Sequence, residues 1–379
     1  MEYRTLGKTG LKVSRLGFGC LRLPETKNGE QNRVDDSRAI PLLRRAFELG
    51  VNYYDTGWGY VNGDSQRALG AAFHDVRDQV ILVNKMPLYA VKKKDDFWYF
   101  LDQELQLMQT DYLDILMFHQ VGERYWNLML QHDFLELAQR AKEQGIIRHI
   151  GFSFHDRPEF MQTVIDSGIM EVVLCQYNLI DRTNEAMITK AHEQGLGVVT
   201  MGSVGAGNIS AGGDAFLKLF PQSQAKTASE LALRFVYGHP HVDCALSGME
   251  NLTMLEENVA TMEHAASITP EETQSVRAKA AEIIAASPLS NLYCTACRYC
   301  DVCPKGIRPF MTIRPYLFWK VWGLKETALA DYRQLGTDVW TGAKSTECIN
   351  CGKCAKYCPQ RIPIPEILRE ANEAFQAVL

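Results

Sequence analysis

Residues 80–119 read VILVNKMPLYAVKKKDDFWYFLDQELQLMQTDYLDILMFH. Two short apolar runs, Val80–Lys85 and Asp114–His119, flank one amphipathic segment, Asp95–Gln109. Such a series of strand, helix and strand occupies roughly 30 residues when the two strands are parallel. This stretch therefore predicts one unit of a parallel α/β sheet.

The same unit recurs through the first 286 residues. Predicted strands lie at Leu16–Cys20, Asn52–Asp55, Val80–Lys85, Asp114–His119, His149–Ser153, Val172–Gln176, Gly197–Met201 and Val242–Ser247. Further helices are predicted at Asp35–Leu49, Asp133–Gln144, Thr183–Gln194 and Thr227–Tyr237. Because eight strand–helix units follow one another without interruption, an α/β fold of the (β/α)8 TIM barrel type is predicted rather than an open sheet.

The two ends of this series have their own signals. Before the first strand, Tyr3–Leu6 and Leu11–Val13 flank a Gly-containing turn, which predicts a hairpin that plugs the barrel. After the eighth strand, Thr269-Pro270 opens a helix that ends near Ala286. Ser287-Pro288 then interrupts the pattern. We therefore predict a barrel domain over residues 1–286 and a second, small and mostly helical domain over residues 287–379.

Composition and charge exclude several classes of protein. The chain is 46% hydrophobic and 22% charged, which is typical of a globular enzyme. It has neither a signal peptide nor an apolar run of roughly 18 residues, so we predict a cytoplasmic protein with no membrane association. The net charge is −5, and residues 287–379 carry 12 Lys and Arg against 8 Asp and Glu. That excess is too small to indicate a nucleic-acid partner.

Eight of the eleven cysteines lie after residue 287, in two groups of four. The groups are Cys294, Cys297, Cys300 and Cys303 before Pro304, and Cys348, Cys351, Cys354 and Cys358 before Pro359. The second group has the C-x2-C-x2-C-x3-C-P spacing of ferredoxin-type [4Fe–4S] sites. The first departs from it, because only two residues separate Cys300 from Cys303. The second domain is therefore predicted to be an iron–sulfur domain.

By analogy with two-cluster ferredoxins, the fourth cysteine of each group would bind the other cluster. One cluster would take Cys294, Cys297, Cys300 and Cys358, and the other Cys348, Cys351, Cys354 and Cys303. A single cluster remains an alternative. Disulfides would need an oxidising compartment, and structural zinc usually takes two Cys pairs per ion, so both are less favoured.

Ionisable residues end three consecutive predicted strands: Asp55, Lys85 and His119. Active sites of (β/α)8 enzymes gather at these carboxyl ends, and Tyr60 follows in the loop after Asp55. Lys85 would stabilise the Tyr60 phenolate and shift the pKa of Tyr60 downward. Asp55 would orient Lys85, and His119 would hydrogen-bond the substrate oxygen. This set suits reduction of a small-molecule carbonyl substrate, with hydride supplied by a cofactor.

These residues resemble the aldo-keto reductases. The resemblance covers roughly Tyr3 to Ala265 and rests on RTLGKTGLKVSRLGFG, DTGWGY, VILVNK, DILMFH, GFS, QYN and EEN. The tail resembles the ferredoxin-like extension found in a bacterial and archaeal branch of this superfamily. The resemblance implies an NAD(P)-dependent oxidoreductase with Tyr60, Lys85, Asp55 and His119 as its catalytic residues.

The same resemblance implies the nucleotide contacts. Ser153 and Gln176 would bind the nicotinamide carboxamide, and Gly248, Glu257 and Asn258 would lie near the adenosine part. NADP-selective members have basic residues before EEN, where this chain has Gly248, Met249 and Met254. The sequence therefore does not decide between NADH and NADPH as the cofactor. The Asn that usually follows Ser153 is Phe154 here, and His155 after it is expected to pack rather than transfer protons.

Three functions remain open from the sequence. The first is a carbonyl reductase with an accessory iron–sulfur domain. The second is an electron-transfer protein that passes electrons between a nicotinamide or flavin and a ferredoxin or flavoprotein partner. The third is a redox sensor. They stay distinct because a nicotinamide delivers two electrons as hydride, whereas a [4Fe–4S] cluster normally takes one.

Overall fold

A computed structural model describes residues 1–28, 31–263, 268–290, 292, 294, 300–337, 341–358 and 360–379. Its strands are β1 (Tyr3–Thr5), β2 (Lys12–Ser14), β3 (Leu16–Gly19), β4 (Glu25–Asn28), β5 (Gln31–Val34), β6 (Tyr53–Asp55), β7 (Ile81–Met86), β8 (Leu113–Val121), β9 (Ile147–Phe154), β10 (Val172–Gln176), β11 (Gly197–Met201) and β12 (Cys244–Ser247).

Eight of these strands form one closed barrel. The order around it is β3, β6, β7, β8, β9, β10, β11 and β12, and β12 pairs with β3 again. All eight pairings are parallel. Each predicted strand overlaps one of these eight, so the predicted (β/α)8 barrel is confirmed.

Helices follow the barrel strands and continue beyond the last one. They are α1 (Asp36–Glu48), α2 (Asp64–Phe73), α3 (Asp96–Met108), α4 (Glu123–Gln131), α5 (Phe134–Glu143), α6 (Pro158–Ile165), α7 (Glu185–Glu193), α8 (Asn208–Leu217), α9 (Ala228–Tyr237), α10 (Leu252–Glu263), α11 (Pro270–Ala285), α12 (Phe310–Trp322), α13 (Lys325–Arg333) and α14 (Ile364–Gln376). Over the described residues, none of these helices is both long and apolar enough to span a membrane. A cytoplasmic location stays a prediction.

The β1–β2 hairpin closes the end of the barrel where the strands begin. Leu6 and Val13 are fully buried and belong to the same apolar cluster as Tyr53, Ile115 and Leu174 inside the barrel. A side chain at position 7 would meet the backbone of residue 197 at 2.2 Å, at the first residue of β11. Only glycine fits so close an approach. The hairpin therefore plugs this end of the barrel, as predicted. The opposite end, where the carboxyl ends of the strands lie, is available for a site.

The chain divides into two compact units. The first contains Met1–Asn178, Arg182–Val204 and Ala232–Thr269, and the second contains Leu179–Asp181, Gly205–Leu231 and Pro270–Leu379. The domain boundary predicted at Ser287 lies within the second unit, just after α11. It stays a prediction about where the cysteine-rich domain begins.

The second unit has its own aromatic core. The rings of Phe216 in α8 and Trp322 in α12 have centroids 5.4 Å apart. Phe375 in α14 stacks on Tyr332 in α13 at 4.2 Å, and the Tyr332 hydroxyl donates to Asn372 Oδ1 at 2.7 Å. Three of these helices, α12, α13 and α14, lie in the predicted second domain, residues 287–379, and agree with its predicted mostly helical character. The iron–sulfur content depends on the cysteines.

Candidate active site

Strand alternation directs the three predicted strand-end residues into the barrel. Tyr53, Val83 and Met117 belong to the interior apolar cluster. Because side chains two positions apart on a strand share a face, Asp55, Lys85 and His119 also point inward, one step nearer the carboxyl ends. Their exposed fractions are 3%, 1% and 8%. The barrel therefore brings together the three residues that the sequence placed at one rim.

Asp55 and Lys85 form a buried ion pair. Lys85 Nζ lies 2.5 Å from Asp55 Oδ1 and 2.5 Å from the Thr56 carbonyl oxygen, and it donates to both. Burial alone would lower the pKa of Lys85, but the charge of Asp55 and the neighbouring Tyr60 hydroxyl raise it above its ordinary value. Lys85 is therefore held as a cation in one orientation.

Tyr60 stands beside this pair, on a short turn after β6. The turn has left-handed backbone angles at Val61, Asn62 and Gly63, with φ of 50°, 55° and 86°. Lys85 Nζ lies 4.9 Å from the centre of the Tyr60 ring and interacts with its hydroxyl. Non-glycine residues rarely adopt such angles, and strained backbone of this kind clusters at active sites.

The pKa of Tyr60 differs in direction from the sequence prediction. Burial raises the pKa of the phenol above its ordinary value, although Lys85 acts in the expected direction and lowers it. Desolvation exceeds the effect of one ammonium because that ammonium is already paired with Asp55. Tyr60 is consequently protonated at neutral pH and can donate a proton.

His119 faces the tyrosine and stays neutral. Its ring centroid lies 6.0 Å from that of Tyr60 and 6.1 Å from that of Tyr89. Burial, with smaller contributions from Lys85 and His155, lowers the pKa of His119 well below its ordinary value. Within the described part of the chain, its Nδ1 is buried and has no hydrogen-bond partner. A neutral imidazole can hydrogen-bond a substrate oxygen without being a proton source.

The two residues predicted to hold the nicotinamide lie on adjacent strands. Ser153 on β9 is buried, and its Oγ accepts from the Gln120 amide at 2.9 Å. Gln176 is the last residue of β10. Its side chain packs against Gly202, because a Cβ atom at position 202 would come within 2.9 Å of Gln176 Nε2. A hydroxyl and an amide on one rim are groups that can bind a carboxamide. Their role stays a prediction.

The residues predicted near the adenosine lie after β12. Gly248 follows that strand directly and is exposed, as is Glu257 on α10. Asn258 is buried, and its Nδ2 donates to Ser247 Oγ at 3.0 Å. Asn258 therefore ties α10 to the end of β12, a structural role that the EEN motif alone did not indicate.

Two features of the site had no signal in the sequence. The Thr56 carbonyl that accepts from Lys85 is a backbone group, which any residue type would supply. Tyr89 packs against His119 from the loop after β7, which has no regular pattern. Only the barrel geometry brings this loop over the site.

Removing the cation should reveal how strongly the buried pair stabilises the barrel. We expect Lys85→Met to lower the free energy of unfolding by about 3–5 kcal/mol at pH 8, because Asp55 is left buried without a counter-charge. A lone buried carboxyl has a raised folded-state pKa. Its cost therefore shrinks as pH falls toward the unfolded-state pKa of about 3.9. Urea denaturation at pH 5 and pH 8 measures this.

The matched control is Lys94→Met, which breaks the Lys94–Asp133 pair of 2.8 Å at the surface. It should leave the free energy of unfolding unchanged, because exposed pairs contribute little. Equal effects of the two variants would contradict the assignment of Asp55 and Lys85 as a buried, mutually dependent pair.

Four cysteines of the second unit line a single cavity. They are Cys303, Cys348, Cys351 and Cys354, and the rest of the wall includes Ile307, Ile349, Pro365 and Leu368. None of the four forms a disulfide. The Asn350 amide lies 3.5 Å from Cys348 Sγ and donates to it. Burial raises the pKa of the Cys354 thiol, and Cys348 and Cys303 add to that effect.

The other predicted ligands are described only in part. Cys300 is buried and Cys294 and Cys358 are partly exposed, while Cys297 lies outside the described residues. Among the described residues, no three His, Cys, Asp or Glu side chains are arranged to hold a single metal ion.

A plugged barrel with a lysine, a tyrosine and a neutral histidine at its open rim is the architecture of an NAD(P)-dependent oxidoreductase. The family model described as "Aldo/keto reductase family" matches residues 15–281. The chain belongs to this family, whose enzymes use NADP(H).

Curated relatives agree with this assignment. L-galactose dehydrogenase of Arabidopsis thaliana is 28% identical over 289 residues, which cover 69% of this chain and 88% of the relative. The L-glyceraldehyde 3-phosphate reductase of Escherichia coli O157:H7 is 26% identical, over 55% of this chain and 63% of the relative.

Solved structures share the barrel. The holo form of aldo-keto reductase AKR11C1 from Bacillus halodurans superposes with a TM-score of 0.62 at 25% identity, over 74% of this chain and 96% of that one. An aldo/keto reductase from Klebsiella pneumoniae, solved with NADP and acetate, has a TM-score of 0.61 at 23% identity, over 73% and 94%. At that identity the second likeness concerns the fold alone.

Proposed function

We propose that this protein reduces an aldehyde or ketone to an alcohol with NAD(P)H. The observation that carries the proposal is the buried Lys85 ammonium, held between Asp55 and Tyr60 at the rim of the barrel. A phenol next to a fixed cation can release its proton to a reacting oxygen, because the cation stabilises the phenolate that forms. Tyr60 is thus the general acid.

The other residues orient and support this transfer. Asp55 and the Thr56 carbonyl hold Lys85 in place, and neutral His119 donates a hydrogen bond to the carbonyl oxygen. Ser153 and Gln176 would bind the carboxamide of the nicotinamide, which supplies hydride when bound. Their hydroxyl and amide groups fit that carboxamide. Barrel walls around the site exclude water and strengthen these electrostatic contacts.

The direct assay follows consumption of NADH and NADPH with a panel of aldehydes and ketones under anaerobic conditions. The proposal predicts nucleotide oxidation that depends on the carbonyl and yields one alcohol per nucleotide. Nucleotide oxidation at the same rate without a carbonyl would contradict it.

The choice between NADH and NADPH depends on the end of β12. Position 248 is a glycine in a family where NADP-selective members carry basic residues nearby. A side chain there would be 3.7 Å from its nearest neighbours, the Arg22 side chain and the Gly19 carbonyl, so there is room for one. We expect Gly248→Lys to tighten NADPH binding about tenfold through a charge-assisted phosphate contact.

Fluorescence titration of both nucleotides measures this, with Gly248→Gln as the uncharged control. NADH affinity should be unchanged in both variants, because NADH has no 2′-phosphate. Equal tightening of NADH and NADPH by Gly248→Lys would contradict placement of the 2′-phosphate at this position.

We further propose that the tail is an iron–sulfur domain that begins near Ser287. The cavity lined by Cys303, Cys348, Cys351 and Cys354 supports one [4Fe–4S] cluster on these four residues. Apolar walls and a hydrogen bond from a backbone amide to a cysteine sulfur are features that tune such clusters. A second cluster would use Cys294, Cys297, Cys300 and Cys358.

The same cavity favours a second candidate function. A cluster there would exchange single electrons, and a ferredoxin or flavoprotein partner could then receive electrons that enter at the barrel. Cys351 is exposed at the cavity wall, which would bring the cluster close to solvent. Unchanged electron transfer in a Tyr60→Phe variant that has lost carbonyl reduction would separate this function from the first.

A further inference from the structure

The chain segments around the four-cysteine cavity are basic. Residues 301–308 and 341–361, which contain the cysteines of the cavity wall, carry six basic side chains against two acidic ones. The basic residues are Lys305, Arg308, Lys344, Lys353, Lys356 and Arg361, and the acidic ones are Asp301 and Glu347. Arg308 lies 3.8 Å from Asp301, so the charges of these two offset each other. The other five basic residues are exposed, and Lys353 is part of the cavity wall.

Two large apolar side chains are exposed in the same segment. Ile349 lines the cavity and is 56% exposed, and Tyr357, next to Lys356 on a short 3₁₀ turn, is 43% exposed. Interfaces between proteins place apolar and aromatic side chains at the centre and charged ones at the rim. The exposed residues near the cavity have this composition, and we call the following five the cysteine patch: Lys305, Ile349, Lys353, Lys356 and Tyr357.

We propose that the cysteine patch is the docking surface for a small acidic electron-carrier protein. The inference rests on the proposed iron–sulfur domain and on its second candidate function. One electron passes between the carrier and a cluster in the cavity, so that one is reduced as the other is oxidised, and no atom or proton changes place. Cys351 is exposed at the cavity wall, which shortens the path between the two redox groups.

The charge pattern favours an acidic protein over other anionic surfaces. Proteins that bind nucleic acid or an anionic membrane usually present a dense cluster of Lys and Arg. Here Cys354 and Ala355 separate Lys353 from Lys356, and an exposed tyrosine follows. Electron-transfer complexes are small and short-lived, and complementary charges speed their formation. A few lysines around an apolar centre therefore fit a transient complex with an acidic carrier.

Anaerobic calorimetric titration of the full-length, iron-containing protein tests the proposal. The probes are a two-cluster bacterial ferredoxin and a flavodoxin, both acidic, and cytochrome c, which is small and basic. We expect at least one acidic carrier to bind, with a Kd that rises about tenfold between about 20 mM and about 300 mM salt, because salt screens the charges. Cytochrome c should not bind at either salt concentration.

Charge reversal locates the docking surface. Lys305→Glu/Lys356→Glu should weaken binding of the acidic carrier about tenfold or more, because it places like charges opposite each other. The matched control is Lys12→Glu/Lys190→Glu, which makes the same change in net charge at two exposed positions of the first unit. It should change Kd by less than about twofold, since salt screens charges away from the interface.

The apolar part of the patch has its own test. Tyr357→Ser should weaken binding by a factor that is the same at both salt concentrations, because the lost contact is apolar rather than charged. Iron and sulfide content and thermal melting show that each variant keeps its cluster and its fold. Carbonyl reduction with NADH or NADPH should be unchanged in all of these variants.

Several results would overturn the proposal. One is that neither acidic carrier binds, and another is that the two double variants weaken binding equally. A shifted reduction potential in Lys305→Glu/Lys356→Glu with an unchanged Kd would mean that these lysines only offset the charge of the cluster. Tighter binding to phosphatidylglycerol vesicles than to either carrier would assign the patch to a membrane surface instead.

Failure of this inference can be told apart from failure of the proposed function. If the protein contains iron and sulfide but binds neither acidic carrier, the iron–sulfur domain stands and the docking surface is wrong. If it contains neither iron nor sulfide, the iron–sulfur domain and the docking surface are both wrong. Carbonyl reduction by the barrel is decided separately, by its own assay.

Discussion

Tyr60→Phe should lower kcat for carbonyl reduction by about 10²–10⁴-fold, because general acid catalysis by one positioned group is worth that much. The ring remains, so its 4.9 Å contact with Lys85 and its packing against His119 can persist. Kd for NADH and NADPH should therefore stay at the wild-type value. Steady-state kinetics combined with nucleotide titration measure both quantities.

Tyr99→Phe is the matched control, since Tyr99 is 58% exposed on α3 and its replacement should leave kcat unchanged. The Tyr60→Phe variant also separates the three functions considered. Loss of turnover supports the reductase. Full carbonyl turnover in Tyr60→Phe would contradict the assignment of Tyr60 as the acid. Unchanged electron transfer to a ferredoxin or flavodoxin would favour the second candidate, and no effect on any redox activity would favour the sensor.

Cys354→Ala should remove roughly half of the iron and acid-labile sulfide from anaerobically purified protein, because it deletes one ligand of one of two clusters. Cys244→Ala is the control, as Cys244 is buried inside the barrel and should not affect iron. Loss of all the iron would mean a single cluster on the four cavity cysteines. Iron content equal to that of the wild type would contradict a cluster in this cavity.

A pair of double variants tests which cysteines share a cluster. Cys303 and Cys354 line the same cavity, so Cys303→Ala/Cys354→Ala should lose no more iron than Cys354→Ala alone. Cys300→Ala/Cys354→Ala should lose nearly all of it, since each residue belongs to a different predicted cluster. The reverse pattern would contradict this grouping, whatever the number of clusters.

Much of the barrel could be predicted because its strands are short, apolar and regularly spaced. The helices that were not predicted include those over residues 122–128 and 209–218. The first belongs largely to α4 and the second to α8. In α8, glycines at 212 and 213 weaken the local helix propensity, and φ at Gly213 is 48°. Packing of Phe216 on Trp322, far away in the sequence, compensates for this.

The candidate site was predictable where strand ends determine it. Asp55, Lys85 and His119 end consecutive strands, and parallel pairing guarantees that they meet at one rim. The effect of burial could not be read in the same way: the pKa of Tyr60 rises although a lysine is beside it. Desolvation depends on everything packed around a group, which includes residues such as Tyr89 from irregular loops.

The most direct test of the account uses NADH and NADPH carrying deuterium at both C4 positions of the nicotinamide. Under anaerobic conditions with a ketone, we predict an alcohol with one deuterium on its carbinol carbon for each nucleotide consumed. Direct hydride transfer in the barrel requires that result. An alcohol without deuterium, formed while the visible absorbance of the clusters bleaches, would mean that electrons travel through the clusters, and it would contradict the barrel's role as a self-contained carbonyl reductase.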